Sequence, residues 1–173
     1  MPYSYSLYKD HVKEHMIINL ENNIKILDIG AGCGTYSHLI REHFPNLDGV
    51  EIFEPYIDQF ELRKKYNNLY NTNVLDMDLS QWDYFIMGDV VEHMSVMEAK
   101  NLIEKLHSAD KLMLIAVPYN YEQGVEFNNV HEVHQQPDLT KEIFLERYPC
   151  MRFLCGDDKY GYFVNYEYQG NNQ

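Results

Sequence analysis

The stretch Ile24-Lys-Ile-Leu-Asp-Ile-Gly-Ala-Gly-Cys-Gly-Thr35 decides the fold. It begins as an apolar run, Ile24, Ile26, Leu27 and Ile29, and ends in three glycines, Gly30, Gly32 and Gly34. Helical spacing follows at once in Tyr36, Leu39, Ile40 and Phe44, and Pro45 stops it. A buried strand that runs through a glycine turn into a helix predicts the ligand-binding corner of an α/β fold. Glycine has no Cβ, so the backbone can take positive φ and a ligand can come close. The start of the helix offers unpaired N–H groups and the positive end of its dipole, which suits a carboxylate or phosphate.

Two ligand classes compete for such a corner. A dinucleotide fingerprint reads G-x-G-x-x-G/A, and its last position, counted from Gly30, is Thr35. The glycines instead run G-x-G-x-G, with Asp28 ahead of them. Asp28-Ile-Gly-Ala-Gly-Cys-Gly34 resembles the first motif of the class I S-adenosylmethionine-dependent methyltransferases, D/E-x-G-x-G-x-G. The resemblance implies a three-layer, Rossmann-like, doubly wound α/β sheet of about seven strands, mostly parallel, with a C-terminal antiparallel hairpin. It implies S-adenosylmethionine as cofactor and S-adenosylhomocysteine as product. It assigns Asp28, Gly30, Ala31, Gly32 and Gly34 to the cofactor.

A net charge of −13, from 14 basic and 27 acidic residues, argues against a protein that grips bulk nucleic acid through phosphates. At 173 residues and 45% hydrophobic the chain reads as one globular domain, residues 1–173, with a leading helix within 1–20 and a core over 24–168. No apolar run approaches the roughly 20 residues of a membrane span. The beginning, Met1-Pro-Tyr-Ser-Tyr-Ser6, lacks a signal-peptide pattern, and the three cysteines read as reduced thiols, so a cytoplasmic location is expected.

Tyr5, Tyr8, Val12 and Met16 give the leading helix. Leu47–Phe53 reads as the second strand, with Glu51 near its end. An acid there can accept both ribose hydroxyls. The family resemblance places Glu51 in that role and Ile52 beside the adenine; Glu54 is a rival acid, though it precedes Pro55 and suits a helix start. A helix is expected from Pro55 to about Tyr66, then a third strand near Leu69–Leu75 that Asp76 closes. By the resemblance Asp76 and Met77 meet the adenine, with Asp78 a rival.

Tyr84–Met87 is an apolar fourth strand, and Asp89-Val-Val-Glu-His93 beyond it looks like the D-x-x-E-H motif of many small-molecule methyltransferases. That loop lies, in the family, near the methionine moiety and the transferable methyl, which brings Asp89 to the cofactor. Ser95-Val-Met-Glu98 is a capping box that opens a helix with Ala99, Leu102, Ile103 and Leu106 on one face. Lys111–Pro118 reads as a doubly buried fifth strand. The polar stretch 119–137 is expected to roof the acceptor pocket, with Tyr119 and Tyr121 as walls. A helix from Asp138 to about Tyr148 and a hairpin of Met151–Cys155 with Tyr160–Tyr168 complete the chain. An exposed edge of that tyrosine-rich hairpin could pair with a second copy, so a homodimer is possible.

Methyl transfer to a hydroxyl gains from a general base, and histidine has the suitable pKa. His131, His134 and His93 are the candidates, with the first two ranked above the third. His131-Glu-Val-His134 could also approach a metal with Asp89 or Glu92, but no zinc-type cysteine pattern is present, and no metal is expected. The reading is a methyltransferase acting on a small-molecule or sugar-linked acceptor at oxygen. The alternatives are a non-catalytic or partner-dependent S-adenosylmethionine-binding module and, behind it, an NAD-linked oxidoreductase.

Overall fold

The computed structural model describes residues 5–167. Strand β1 (Ile26–Ile29) is buried along its whole length, as its apolar run requires. It pairs in parallel with β2 (Leu47–Val50) on one side. Beyond β2 lies the short β3 (Leu69–Tyr70). The chain then returns to the other side of β1 as β4 (Tyr84–Gly88), followed by the parallel β5 (Leu112–Pro118). A hairpin, β6 (Arg152–Gly156) and β7 (Tyr160–Val164), adds antiparallel to β5 through β7. The order is β3-β2-β1-β4-β5-β7-β6, as expected for the doubly wound sheet. The winding reverses between β1 and β4, and ligands of open α/β sheets sit beyond the carboxyl ends of strands at such a point.

Helices cover both faces, which makes three layers. Val12 and Met16 of α1 (Lys9–Asn19), Ile40 of α2 (Thr35–Ile40) and Ile57 of α3 (Glu54–Gln59) pack on Ile26, Tyr84, Ile86 and Leu114. Leu102, Ile103 and Leu106 of α4 (Val96–Ser108) and Phe144 of α5 (Lys141–Arg147) pack on Leu27, Phe85 and Met113. The capping box that opens α4 is formed: Ser95 Oγ accepts from Glu98 N–H, and Glu98 Oε2 accepts from Ser95 N–H at 3.0 Å. No helix among the described residues is long and apolar enough to cross a membrane.

Several elements are shorter than their patterns suggest. The leading helix begins at Lys9, after Tyr8 takes a left-handed conformation, so Tyr5 and Tyr8 stand outside it. The helix from Pro55 breaks at Glu61, also left-handed, and resumes as a single 3₁₀ turn at Leu62–Lys64. β3 stops at Tyr70 because asparagine side chains take over from the ladder. Asn71 Nδ2 donates to Glu51 O at 2.8 Å, and Asn73 caps a 3₁₀ turn at Val74–Asp76. Asp76 therefore ends a turn rather than a strand. β7 stops at Val164 because Asn165 closes the sheet, accepting from Met113 N–H at 2.7 Å and donating to Lys111 O at 2.8 Å. Tyr168 lies outside the described residues. The tyrosine-rich strand is not the sheet edge: β7 is interior and buried throughout, and β6 is the open edge.

Candidate active site

The glycine turn leaves β1 with Gly30, Gly32 and Gly34 at φ of +69°, +52° and +82°. Its first N–H groups are engaged within the protein. Gly30 and Ala31 donate to Val50 O at 2.9 and 3.1 Å, and Gly32 donates to Glu51 Oε2 at 2.9 Å. These donors stitch the turn to the end of β2. Glu51 is the pivot of the corner. Its Oε1 accepts from Phe53 N–H at 2.8 Å, and burial raises its pKa. Each carboxylate oxygen keeps a second lone pair.

A cavity of about 390 Å³ opens beyond β1, β2 and β4. Gly30, Ala31, Gly32, Glu51, Ile52, Asp89, His93 and His131 line it. Ile52 and Leu75 are each 37% exposed, two large apolar side chains left uncovered in the same cavity. Asp28 and Gly34 stand behind the turn rather than in this lining. Asp76 and Met77 are also outside it; Thr72, Asn73 and Leu75 take that wall, because β3 ended early. Asp76 is exposed, and Met77 packs on the core of the α4 face.

Asp28 is buried beneath the corner and accepts from Tyr66 O–H at 2.5 Å. Burial pushes its carboxyl up to about 7, against the Tyr66 hydrogen bond and the charge of Lys9, which both pull it down. A folded-state pKa above the unfolded value of 3.8 means that the native protein binds more protons across that window. Stability is then lost as pH rises from about 4 to about 7, at up to about 1.4 kcal/mol per pH unit. In Asp28→Asn the amide oxygen still accepts from Tyr66 and nothing titrates. Thermal melts at pH 5 and pH 8 should show a smaller loss in this variant than in the native chain. An equal loss in both would assign the pH dependence to other groups.

A second cavity, of about 510 Å³, lies beside the first. Asp89 and His93, just past the carboxyl end of β4, line both. Asp89 takes a left-handed φ of +57° and its Oδ1 accepts from Tyr160 O–H at 2.7 Å. Tyr5, Tyr119, Tyr121 and Tyr160 supply aromatic walls, and Lys159 adds one cation. The buried Glu92, one of the residues lining this space, has a carboxyl without a hydrogen-bond partner among the described residues.

The structure brings His93 and His134 together, with ring centroids 4.7 Å apart and edge-to-face. Burial, with a smaller contribution from His134, pulls His93 down to about 4. Burial lowers His134 as well. Both imidazoles are thus neutral near pH 7. His131 is exposed and faces the first cavity.

The stretch 119–137 roofs both cavities, and buried amides that the sequence pattern did not single out hold it there. Glu132 Oε1 accepts from Tyr56 O–H at 2.8 Å, and its Oε2 accepts from Gln123 Nε2 at 3.0 Å. The backbone N–H groups of Gln135 and Gln136 both donate to Glu92 O, at 2.8 and 3.1 Å. Gln136 Nε2 donates to Val91 O and Met94 O, while its Oε1 accepts from Tyr148 O–H at 2.9 Å and Arg147 Nη1 at 3.1 Å. The Gln-Gln-Pro run directly after His134 was the available signal.

No protein-family model and no curated protein matches the chain. Solved structures do. An S-adenosylmethionine-dependent methyltransferase from Clostridium acetobutylicum superposes with a TM-score of 0.67 over 91% of this chain and 89% of its own, at 9% identity. The methyltransferase domain of bacterial CtHen1-CN gives 0.62 over 91% and 97%, at 18% identity. Human N-acetylserotonin methyltransferase, in complex with its S-adenosylmethionine cofactor, gives 0.63 at 12% identity; 91% of this chain matches 51% of that one. The chain has the fold of the class I S-adenosylmethionine-dependent methyltransferases.

Proposed function

We propose that this chain is an S-adenosylmethionine-dependent methyltransferase that methylates a small-molecule or sugar-linked acceptor at oxygen. The observation that carries the reading is the pair of cavities that meet at Asp89 and His93, beyond the switch point of this fold. The first is within the roughly 300–1,000 Å³ of small-ligand sites. Its residues fit the cofactor: Glu51 has lone pairs left for a diol, and exposed Ile52 and Leu75 suit a flat base. The bound cofactor supplies an activated methyl on a sulfonium.

The second cavity then receives the acceptor. Its tyrosines suit a planar or sugar ring, and Lys159 suits an anionic substituent. Holding the acceptor oxygen in line with the methyl is the main task, since positioning alone removes much of such a barrier. His93 and His134, neutral at the junction, are placed to accept the hydroxyl proton; His131 is on the cofactor side. Three free cysteines, Cys33, Cys150 and Cys155, support a cytoplasmic setting. A homodimer, on this reading, would pair along β6.

Calorimetric titration with S-adenosylmethionine, S-adenosylhomocysteine and NAD tests the reading. Micromolar binding of the first two, about −8 kcal/mol, is expected, with NAD silent. Silence from the first two overturns it. Glu51→Ala should weaken that binding by roughly 1–3 kcal/mol, because a charged hydrogen-bond partner is removed. Unchanged affinity in this variant would move the ribose role to Glu54.

A further inference from the structure

We propose that Glu92, His93 and His134 form a binding site for one divalent first-row transition-metal ion, at the acceptor end of the paired cavities. No metal was expected from the sequence, where His131 and His134 are the histidines three positions apart. The fold assembles a different set. One ligand atom from each of Glu92, His93 and His134 lies within 4.8 Å of the others. Ligand atoms held at metal–ligand distances near 2.0–2.2 Å lie about 3.3–3.8 Å from one another around a single ion, so side-chain rotations that close the set by about 1 Å bring all three to it.

Three further observations point to a cation. Glu92 is 1% exposed and neither carboxyl oxygen has a hydrogen-bond partner among the described residues. A buried carboxyl in that state is costly, and a cation supplies the partner it lacks. Both imidazoles are already oriented. His93 Nδ1 faces Val133 O at 3.3 Å, and His134 Nδ1 faces Tyr121 O at 2.7 Å. A carbonyl can only accept, so each Nδ1 carries the proton and each Nε2 presents its lone pair. Backbone partners orient metal-binding histidines in this way. The site also opens onto the second cavity, so an ion and an acceptor oxygen can both reach it.

The donor set selects the class of ion. Two imidazoles and one carboxylate suit iron, cobalt, nickel or zinc over magnesium, calcium or manganese, which favour oxygen ligands. The role of the ion rests on the methyltransferase reading: it would hold the acceptor hydroxyl and raise its acidity. His93 and His134 then serve as ligands in place of free bases, and the proton of the acceptor hydroxyl leaves to solvent through the second cavity.

The test is a titration of the chelator-treated full chain with cobalt(II), followed by visible absorbance and calorimetry. One equivalent should bind, with the visible bands of histidine-ligated cobalt, and excess magnesium should not displace it. Glu92→Gln and His134→Ala should each weaken cobalt binding by more than the roughly 10–100-fold that loss of an orienting partner costs. Cobalt should raise the melting temperature of the native chain and not of these variants, which reports the site while checking that they fold. Absence of binding at millimolar cobalt, or equal affinity in folded variants, overturns the site. S-adenosylmethionine titration of the same samples keeps the two proposals apart: cobalt without cofactor binding overturns the function alone, and cofactor without cobalt binding overturns the ion site alone.

Discussion

Gly32→Val is expected to abolish detectable binding of S-adenosylmethionine in a chain that still folds: calorimetry should register no heat under conditions where micromolar binding is expected of the native protein. Gly32 sits at φ +52°, a conformation that costs a β-branched residue on the order of 1–3 kcal/mol. Relaxing that strain means rotating the peptide, and the Gly32 N–H is the group that holds Glu51 Oε2. The turn and the acid move together. Two groups proposed to contact the cofactor are lost through one substitution, so a drop of more than about 100-fold, near 2.7 kcal/mol, is expected. The strain is confined to one turn, and far-UV circular dichroism should stay native. Near-normal affinity would remove the glycine turn from the site.

Gln136→Ala lowers stability by about 2–4 kcal/mol, a fall of about 5–15 °C in melting temperature for a chain of this size. Gln136 is 1% exposed, and its amide is fully used: two carbonyls of the segment after β4 on one side, Tyr148 and Arg147 of the α5 region on the other. Alanine leaves Met94 O and the Tyr148 hydroxyl without their partner in the interior, while Val91 O keeps the Met94 N–H at 3.2 Å. Such orphaned groups cost more than the mean worth of a hydrogen bond. A thermal melt checks this, and a fall below about 2 °C would show that water replaces the amide.

Local pattern was enough for the frame. The run from Ile24 to Thr35, the capping box at Ser95–Glu98 and the apolar β5 each state their element within a dozen residues, and the sheet follows from them. What escaped is set by partners distant in the chain. Asn71 and Asn165 look like loop residues, yet their side chains end β3 and β7 by bonding to other strands. Tyr160–Val164 reads as one arm of a hairpin, and that this arm is the interior one shows only in the fold, where α1 and α5 cover its two faces. His131 and His134 share a motif-like spacing, whereas the fold pairs His134 with His93 from another element. The stretch 119–137 reads as a roof, but that Gln123, Glu132 and Gln136 are its buried members shows only in the fold, where the loop packs on α3 and on the segment after β4.

The contacts of Tyr5 carry a consequence for the order of assembly on the ribosome. Its ring stacks on Tyr160 at 4.9 Å, its hydroxyl donates to Asp157, and Tyr162 O–H donates to Leu7 O at 3.0 Å. A segment synthesised before β1 therefore waits for one synthesised after β5. Strands β1 to β5 can pair as they emerge, but the wall shared by Tyr5 and Tyr160 closes only after translation has passed β7. A nascent chain stalled before that point would hold the glycine corner and lack a finished second cavity, so the proposed acceptor site closes after the corner proposed for the cofactor.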